Sequence, residues 1–349
     1  MAHYDGDNPG HELDSTAPEA GALAERIAFF RQQSAAPNTK SAYRSDLAHF
    51  AAYGGFLPAW PDPTTAMAAD QALLGTPAEH LQAYLAYYGD KLKISTLRRR
   101  VAAINKWNLA AGCPAPGQSA PVKAVLAGIA RAQRRSADKA TRERFRVKKA
   151  PPLLEEHMRA LLDQLGDSPR DQRDRALFLT AWCIGARRSE ITNLTTDDLQ
   201  FDRDGVDIRI EFSKTDQEAE GTYLGIPRID GQACAVTALE AWLRTAAIET
   251  GPIFRKVNRW QRIGAERLHD DSLTWILRKR LMAAGVPMAQ RFTSHSFRAG
   301  MITQGIINNE SEHEVRERSR HKSREVFDGY VRRVTDKKNS FVGRMLKRL

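Results

Sequence analysis

The sequence predicts a mainly α-helical fold with a small β-sheet or hairpin, divided into two domains. Apolar residues repeat at helical spacing from residue 19 to about residue 131, and a dense basic segment follows. Beyond that segment, one alternating stretch (Val206–Phe212) lies among further helical patterns. The 349 residues favour two domains, and an apolar fraction of 42% is enough to fill a core. We expect a disordered acidic tail over 1–18, a helical domain over 19–131, a basic linker over 132–151 and a second domain over 152–349.

The helical domain contains five amphipathic segments. A one-sided apolar stripe, Leu23–Phe30, marks the first. Capping and helix-ending residues set the limits of the other four. The second runs from Asn38-Thr39 to before Gly54-Gly55, the third starts at Pro77, and the fifth runs from about Pro121 to Arg131. The fourth runs from a cap at Ser95 or Thr96 to Gly112-Cys113-Pro114, and its apolar face carries Leu97, Val101, Ile104 and Leu109.

The second domain starts with a helix near Leu154 and an apolar helix, Ala176–Ile184, which we expect to be buried. The alternating strand Val206–Phe212, a polar loop and a short strand at Tyr223–Ile226 predict a hairpin. Helical patterns resume at Val236–Ala247 and continue to the last residue.

The charge is strongly basic and uneven. The net charge is +11, but residues 1–36 carry six acids and two bases, so the rest of the chain carries +15. Such a body favours a polyanionic partner, nucleic acid before membrane, although a merely soluble basic protein is the alternative. Residues 131–149 hold nine bases and two acids. They form either a solvated face or a connector that crosses a phosphate backbone.

The three cysteines (Cys113, Cys183, Cys234) are far apart and match no metal-ligand spacing. We therefore expect neither a disulfide framework nor a zinc site, as in a reducing cytosol. No apolar stretch approaches the roughly 20 residues of a membrane span, and the polar start is unlike a signal peptide. The expectation is a cytoplasmic protein without metal or cofactor.

Cutting a phosphodiester without metal or ATP needs a nucleophile in line with the leaving oxygen, cations for the equatorial oxygens and a general acid. A side-chain nucleophile keeps the bond energy in a covalent intermediate. The second domain offers side chains for each role, at a turn after the buried helix, at the hairpin tip, in a His-x-x-Arg pair and near the C-terminus: Arg187, Glu190, Lys214, His295, Arg298, His321 and Tyr330.

Alone, each of these residues has a simpler interpretation. Arg187 and Glu190 would form a helix-surface ion pair worth about 0.3–0.5 kcal/mol. Lys214 would be a solvated hairpin lysine, and Tyr330 an aromatic packed beside Phe327 and Val334. Only the seven residues together, in this order, indicate a particular chemistry.

That ordered set resembles the tyrosine recombinases, also called phage integrases, and especially their Cre-like members. The resemblance covers roughly residues 20–349 and is strongest over Thr180–Arg332. The helical domain is similar to the family's core-binding domain, at Pro37-Asn38-Thr39 and Ser95–Arg99.

The resemblance implies a role for each of the seven positions. Tyr330 attacks phosphorus and becomes joined to the DNA 3′ phosphate. Arg187 and Arg298 hold the non-bridging oxygens, Lys214 protonates the 5′ oxygen, and His295 takes the tyrosine proton. His321 donates to the phosphate or packs beside it, and Glu190 orients its neighbours.

The chain departs from the family pattern just before His321. The family usually has Leu-Gly there, and this chain has Ser319-Arg320. Arg320 is therefore expected either to change the local turn or to add a phosphate contact.

The resemblance also implies an assembly. Two domains would clamp duplex DNA, and four protomers would exchange strands at paired inverted-repeat sites. The C-terminal segment, 338–349, would dock into a neighbouring subunit or else pack on its own domain. The expected DNA contacts are basic residues of both domains: Lys40, Arg44, Arg98, Arg99, Lys106 and Arg259.

Three alternatives remain open at this point. The same chemistry serves type IB topoisomerases and hairpin-forming telomere resolvases, and the scaffold could also carry a non-catalytic DNA-binding regulator. The DNA sequence, the spacer length, the biological role and any accessory proteins are not encoded in these patterns.

Overall fold

The computed structural model describes residues 37–58, 75–146, 149–210, 221–321, 324–325 and 327–331. These residues are mostly helical with two small antiparallel sheets, which confirms the predicted fold class. The chain divides into two compact units, one ending at residue 147 and the other beginning at residue 148. The predicted acidic tail, the first amphipathic segment, Lys214 and the segment 338–349 lie outside the described residues. The proposed domain limits remain predictions.

The described part of the first unit is helical throughout. Its helices are α1 (Pro37–Ala52), α2 (Ala78–Tyr88), α3 (Ile94–Ala110), α4 (Ala120–Arg135) and α5 (Lys139–Phe145), with a short 3-10 turn at Pro116–Gln118. Their core is built from apolar side chains at the predicted spacing, with Phe50, Leu81, Leu85, Leu97 and Ile104 fully buried.

Two details of α3 differ from the prediction. The helix begins at Ile94 after Lys93, so neither Ser95 nor Thr96 caps it. Its first amide donates instead to the side-chain oxygen of Gln133, 3.1 Å away on α4, which removes the need for a local hydroxyl. Leu109 is 63% exposed, because it lies five residues after Ile104, about 140° around the helix from the buried face.

The basic segment after residue 131 is partly helical. Helix α4 extends to Arg135, and Asp138 caps α5 by accepting from the amides of Ala140 (3.2 Å) and Thr141 (2.7 Å). Part of the segment predicted as a linker therefore has regular structure.

The second unit surrounds one large core. Its helices are α6 (Glu155–Leu162), α7 (Pro169–Cys183), α8 (Arg188–Asn193), α9 (Ala235–Thr245), α10 (Asp270–Ala283), α11 (His295–Ile307) and α12 (Glu312–Ser319). Helix α7 is central, with Leu177 and Phe178 fully buried, and Trp242 of α9 is also fully buried. The prediction of a buried helix at this point is confirmed.

Two antiparallel sheets cover this core. Strands β1 (Leu199–Phe201), β2 (Gly205–Ile210) and β3 (Thr222–Pro227) form the first, and β4 (Arg255–Val257) and β5 (Ile263–Arg267) form the second. The pairs Val206–Ile226 and Ile208–Leu224 place the apolar side chains on one face, as the alternating pattern predicts. Within the described ranges, no helix is both long and apolar enough to cross a membrane.

Candidate active site

Tyr330 and His295 meet through their side chains. Tyr330 lies on a helical turn at 327–331, partly buried against a small cluster that includes Ile302, Val315 and Phe327. Its hydroxyl oxygen is 3.1 Å from Nε2 of His295, the first residue of α11. The backbone amide of His295 donates to the Thr293 hydroxyl at 3.2 Å, while Ser294 makes no side-chain cap.

His295 is suited to accept a proton. Desolvation of the imidazole, followed by the charges of Arg298 and Arg187, lowers its pKa below the ordinary value of 6.5. The ring is therefore neutral at pH 7, with a lone pair available at one nitrogen. A neutral histidine next to a phenol can serve as a general base.

Arg298 projects from the first turn of α11 into the interior. The residue is 2% exposed, and its guanidinium donates to the carbonyl of Gly185 at 3.0 Å. Burial and then the charges of Arg187 and Arg320 lower its pKa to about 10. The group stays charged at pH 7, so a cation is held in a poorly hydrated place where its field is strong.

Arg187 precedes helix α8 and is fastened to Glu190. Its backbone amide donates to Glu190 Oε2 at 2.8 Å and its guanidinium to Oε1, while its side chain remains 39% exposed. The Glu190 side chain is only 4% exposed. Burial alone would raise the pKa of Glu190, but the charge of Arg320 and the bonds from Arg187 bring it below its ordinary value. The carboxylate is thus ionised and fixes the direction of Arg187.

Three arginines meet the C-terminal end of helix α7. Arg318 donates to the carbonyl of Cys183 (2.9 Å), Arg320 to that of Ile184 (3.1 Å) and Arg298 to that of Gly185 (3.0 Å). These carbonyls have no partner within the helix, and cations at a helix C-terminus are favourable. Gly185 itself has a φ of +54°, a conformation that glycine adopts without cost. The turn before Arg187 is therefore joined to the segment before His321.

His321 lies between Arg298 and Tyr330. Its Nδ1 is 2.8 Å from the Ser319 hydroxyl and 3.4 Å from the Arg298 guanidinium, and its ring centroid is 5.9 Å from that of Tyr330. Burial, followed by the charge of Arg298, lowers its pKa to about 4. With this lowered pKa the ring is neutral at pH 7 and carries one N–H.

Six of the seven predicted residues are thus linked in one network, and Lys214 falls outside the described residues. The network includes two arginines whose contacts the sequence did not predict, Arg318 and Arg320. Arg320 stood out only as a departure from a motif. Arg318 had no signal beyond its place in an alternating basic run before His321. In the described ranges, no group of three or more His, Cys, Asp or Glu residues is arranged to hold a metal ion.

The predicted DNA contacts of the helical domain lie on α1 and α3. Arg44, Arg98, Arg99 and Lys106 are exposed, and Lys40 is half-buried. The Arg99 guanidinium forms a two-pronged ion pair with the buried Asp46, at 2.8 and 2.9 Å. That pair fixes the direction of Arg99 while half of its side chain remains exposed.

Arg259 lies in the turn between β4 and β5. Its guanidinium is stacked 4.0 Å from the ring of Trp260, and both residues are exposed. A cavity of about 600 Å³ beside this turn is lined by seven lysines or arginines, among them Arg259, Arg267 and Lys279, and by two acidic residues. This surface is suited to an anionic partner.

Comparison with known proteins gives consistent matches. The Phage integrase family matches residues 152–336. A curated protein, the integrase/recombinase xerD homolog of Selenomonas ruminantium, is 31% identical over 324 residues, which cover 90% of this chain and 87% of that protein. The Tn1549 transposon integrase in complex with circular intermediate DNA has a TM-score of 0.58 at 12% identity, covering 94% of this chain and 99% of the other. A lambda integrase dimer bound to a COC′ core site has a TM-score of 0.52 at 17% identity, covering 89% and 94%. At these identities the two structures show a shared fold.

Proposed function

The chain belongs to the phage integrase family, the tyrosine recombinases, and on that basis we propose that it cleaves and rejoins DNA at specific sites through a covalent bond between Tyr330 and a DNA 3′ phosphate. Members of this family are enzymes that transfer DNA strands. The observation that carries the proposal is the 3.1 Å contact between the Tyr330 hydroxyl and His295, beside the buried cation Arg298.

Cleavage begins with the transfer of one proton. The phenol of Tyr330 gives its proton to Nε2 of His295 while its oxygen attacks phosphorus. A bond forms between the tyrosine oxygen and phosphorus, and the bond from phosphorus to the 5′ oxygen breaks. The 5′ oxygen takes a proton from Lys214, in the role that the family resemblance implies. Attack by a 5′ hydroxyl on the phosphotyrosine reverses each step and seals a strand.

The cations stabilise the charge that develops on phosphorus. Arg187 and Arg298 would each meet non-bridging oxygens, since a planar guanidinium donates to two oxygens at once. The N–H of the His321 ring would supply a further donor. Glu190 would keep Arg187 aimed at the phosphate. Fixed donors of this kind need no reorganisation as the reaction proceeds.

The substrate would be double-stranded DNA with inverted-repeat half-sites, bound by a clamp of both domains. Lys40, Arg44, Arg98, Lys106 and Arg259 would contact it, together with Arg99 in its fixed direction. Four protomers would exchange strands, joined through residues 338–349. Deletion of 338–349 should weaken synapsis of two sites and leave single-site binding largely intact. Unchanged tetramer formation by the truncated chain would contradict this assembly.

A nicked suicide substrate tests the chemistry directly. Loss of the short fragment beyond the nick prevents resealing, so an active enzyme accumulates as a covalent 3′-phosphotyrosyl adduct that denaturing electrophoresis detects. Tyr330→Phe should bind the same DNA and form no adduct, and adduct formation by that variant would remove Tyr330 as the nucleophile. A regulator without activity would form no adduct even as the wild type. Joining of strands between two sites separates a recombinase from a topoisomerase.

A further inference from the structure

Arg320 occupies a backbone conformation that favours glycine. It ends helix α12 with φ +54° and ψ +43°, the left-handed region that a Cβ makes unfavourable. Its side chain is only 10% exposed, and its Nε has no hydrogen-bond partner within the described part of the chain. Left-handed backbone and a buried unpaired donor both reduce stability. A residue in this position therefore needs a compensating contact.

That contact is the carboxylate of Glu190. The Arg320 guanidinium donates to Glu190 Oε2 at 2.6 Å and to the carbonyl of Ile184 at 3.1 Å. The same carboxylate receives both the amide and the guanidinium of Arg187. One buried anion is thus shared by two arginines, one on each side.

The sharing changes the charge that a bound phosphate would meet. Arg187 and Glu190 alone sum to zero, whereas Arg187, Glu190 and Arg320 sum to +1. In a poorly hydrated place that difference acts strongly over a few ångströms. With Arg320 present, Glu190 is shared with a second cation, so the Arg187 guanidinium keeps more attraction for an outside anion.

We infer that Arg320 is a positioning residue of the active site, which holds Glu190 and offsets its charge so that Arg187 remains available to the scissile phosphate. The inference rests on the proposed function of this same site. Arg320 acts through Glu190 rather than by touching DNA, because its side chain is buried and directed at Glu190 and Ile184. The sequence left two possibilities for Arg320, a changed local turn or an added phosphate contact. The left-handed turn forms with arginine in it, and the contacts of its side chain do not favour a direct phosphate contact.

The first test replaces Arg320 by glycine in the full-length chain. Arg320→Gly suits the left-handed backbone, so the melting temperature should stay close to that of the wild type. Single-turnover cleavage of the suicide substrate should slow about ten- to hundredfold, less than the loss for a group that touches the reacting atoms. The dissociation constant for the uncleaved site should change much less than the cleavage rate. Asn309→Gly is the matched control, since Asn309 is an exposed left-handed residue (φ +61°) at the end of α11.

The second test separates charge from shape. In the Arg320→Gly background, Glu190→Gln removes the anion that now acts on Arg187 alone, and cleavage should recover about tenfold toward the wild-type rate. Arg320→Lys keeps the charge and should cleave faster than Arg320→Gly. If Arg320→Gly folds poorly, Arg320→Lys is compared with the wild type instead, and a cleavage rate within about tenfold of the wild-type rate is expected because the charge beside Glu190 is kept.

The outcomes are distinct. Wild-type cleavage by Arg320→Gly would overturn the inference, as would a double variant no faster than the single one. Arg320→Lys as slow as Arg320→Gly would also count against it. These comparisons are made only after the wild type has formed the Tyr330 adduct, so failure of that adduct would instead refute the proposed function.

Discussion

The hydroxyl oxygen of Tyr330 lies 3.1 Å from Nε2 of His295, although the two residues are 35 positions apart in the chain. Tyr330 is held by packing against Ile302 on α11, and His295 begins that same helix. One helix therefore fixes the distance between the proposed nucleophile and its base. Changes to this pair should affect cleavage far more than stability.

The role of His295 can be tested through pH. His295→Gln should slow single-turnover cleavage by about 10²–10⁴-fold at pH 7, because the phenol loses its proton acceptor. The defect should shrink as pH rises toward 9.5, since a free tyrosine has a pKa of about 10 and begins to ionise without help. The control is His313→Gln, an exposed imidazole 3.6 Å from Glu317. A defect of the same size at every pH would contradict the general-base role.

Histidines whose pKa values are lowered in the folded chain should make stability depend on pH. The pKa of His321 is about 4 in the folded chain and about 6.5 when unfolded, so the unfolded chain binds more protons between these values. The contribution of His321 to the free energy of unfolding is therefore complete above pH 6.5 and is lost as the pH drops toward 4. One such group contributes at most about 1.4 kcal/mol per pH unit, and about half of that for a partly solvated ring.

Urea denaturation at pH 7, 6 and 5 measures this dependence. His321→Gln should lose less stability than the wild type over that range, whereas His313→Gln should follow the wild type. A steeper loss in His321→Gln would reverse the assigned direction of the shift. The lowered pKa values of His295 and His157 act in the same direction, so some dependence should remain.

Asp46 should be important for the stability of the helical domain. Its carboxylate is 1% exposed and pairs with Arg99 and with the nearly buried Arg100, whose guanidinium also contacts His49 and Tyr84. Asp46→Ala leaves that buried cation without its anion and should cost about 3 kcal/mol. Hydrogen exchange of the α1 and α3 amides in the full-length chain would show the loss. The exposed Asp90→Ala should change little, and equal protection in both variants would contradict the prediction.

The salt dependence of binding tests the proposed DNA contacts. If Arg98 and Arg259 each neutralise one phosphate, replacing either by alanine should reduce the slope of log affinity against log salt by about 1. Fluorescence anisotropy with a duplex site between 50 and 200 mM salt measures it. Arg203, on the turn before β2 and 91% exposed, provides an alanine control with no proposed DNA contact. An unchanged slope for Arg98→Ala would remove α3 from the DNA-binding surface.

The sequence alone predicted the elements that depend on local patterns. The alternation at Val206, Ile208 and Ile210 predicted strand β2, and the apolar run before Ile184 predicted buried helix α7. The ordered set from Arg187 to Tyr330, through its resemblance to a known family, predicted the convergence of the six members that the structure describes, because chemistry restricts residue type and order more tightly than packing does. These features need no knowledge of distant contacts.

Contacts between distant segments explain what the sequence missed. The first backbone amide of helix α3 donates to the side chain of Gln133, 39 residues later, so the cap predicted at Ser95 or Thr96 does not form. The Asp46–Arg99 pair spans 53 residues, and neither residue has a motif. The turn at Arg320 could not be predicted locally, because the ion pair that offsets its unfavourable backbone is made with Glu190, 130 residues earlier.

The arginines on the last carbonyls of helix α7 also bear on the order in which activity arises during synthesis. The turn that carries Arg187 leaves the ribosome more than 130 residues before Arg318, Arg320 and Tyr330 do. Until then the end of α7 lacks two of its three cations, Glu190 lacks one of its two partners, and the proposed nucleophile is absent. A nascent or truncated chain can acquire a basic surface for nucleic acid without the means to break a strand. On the proposed chemistry, strand cleavage therefore waits until synthesis has passed Tyr330.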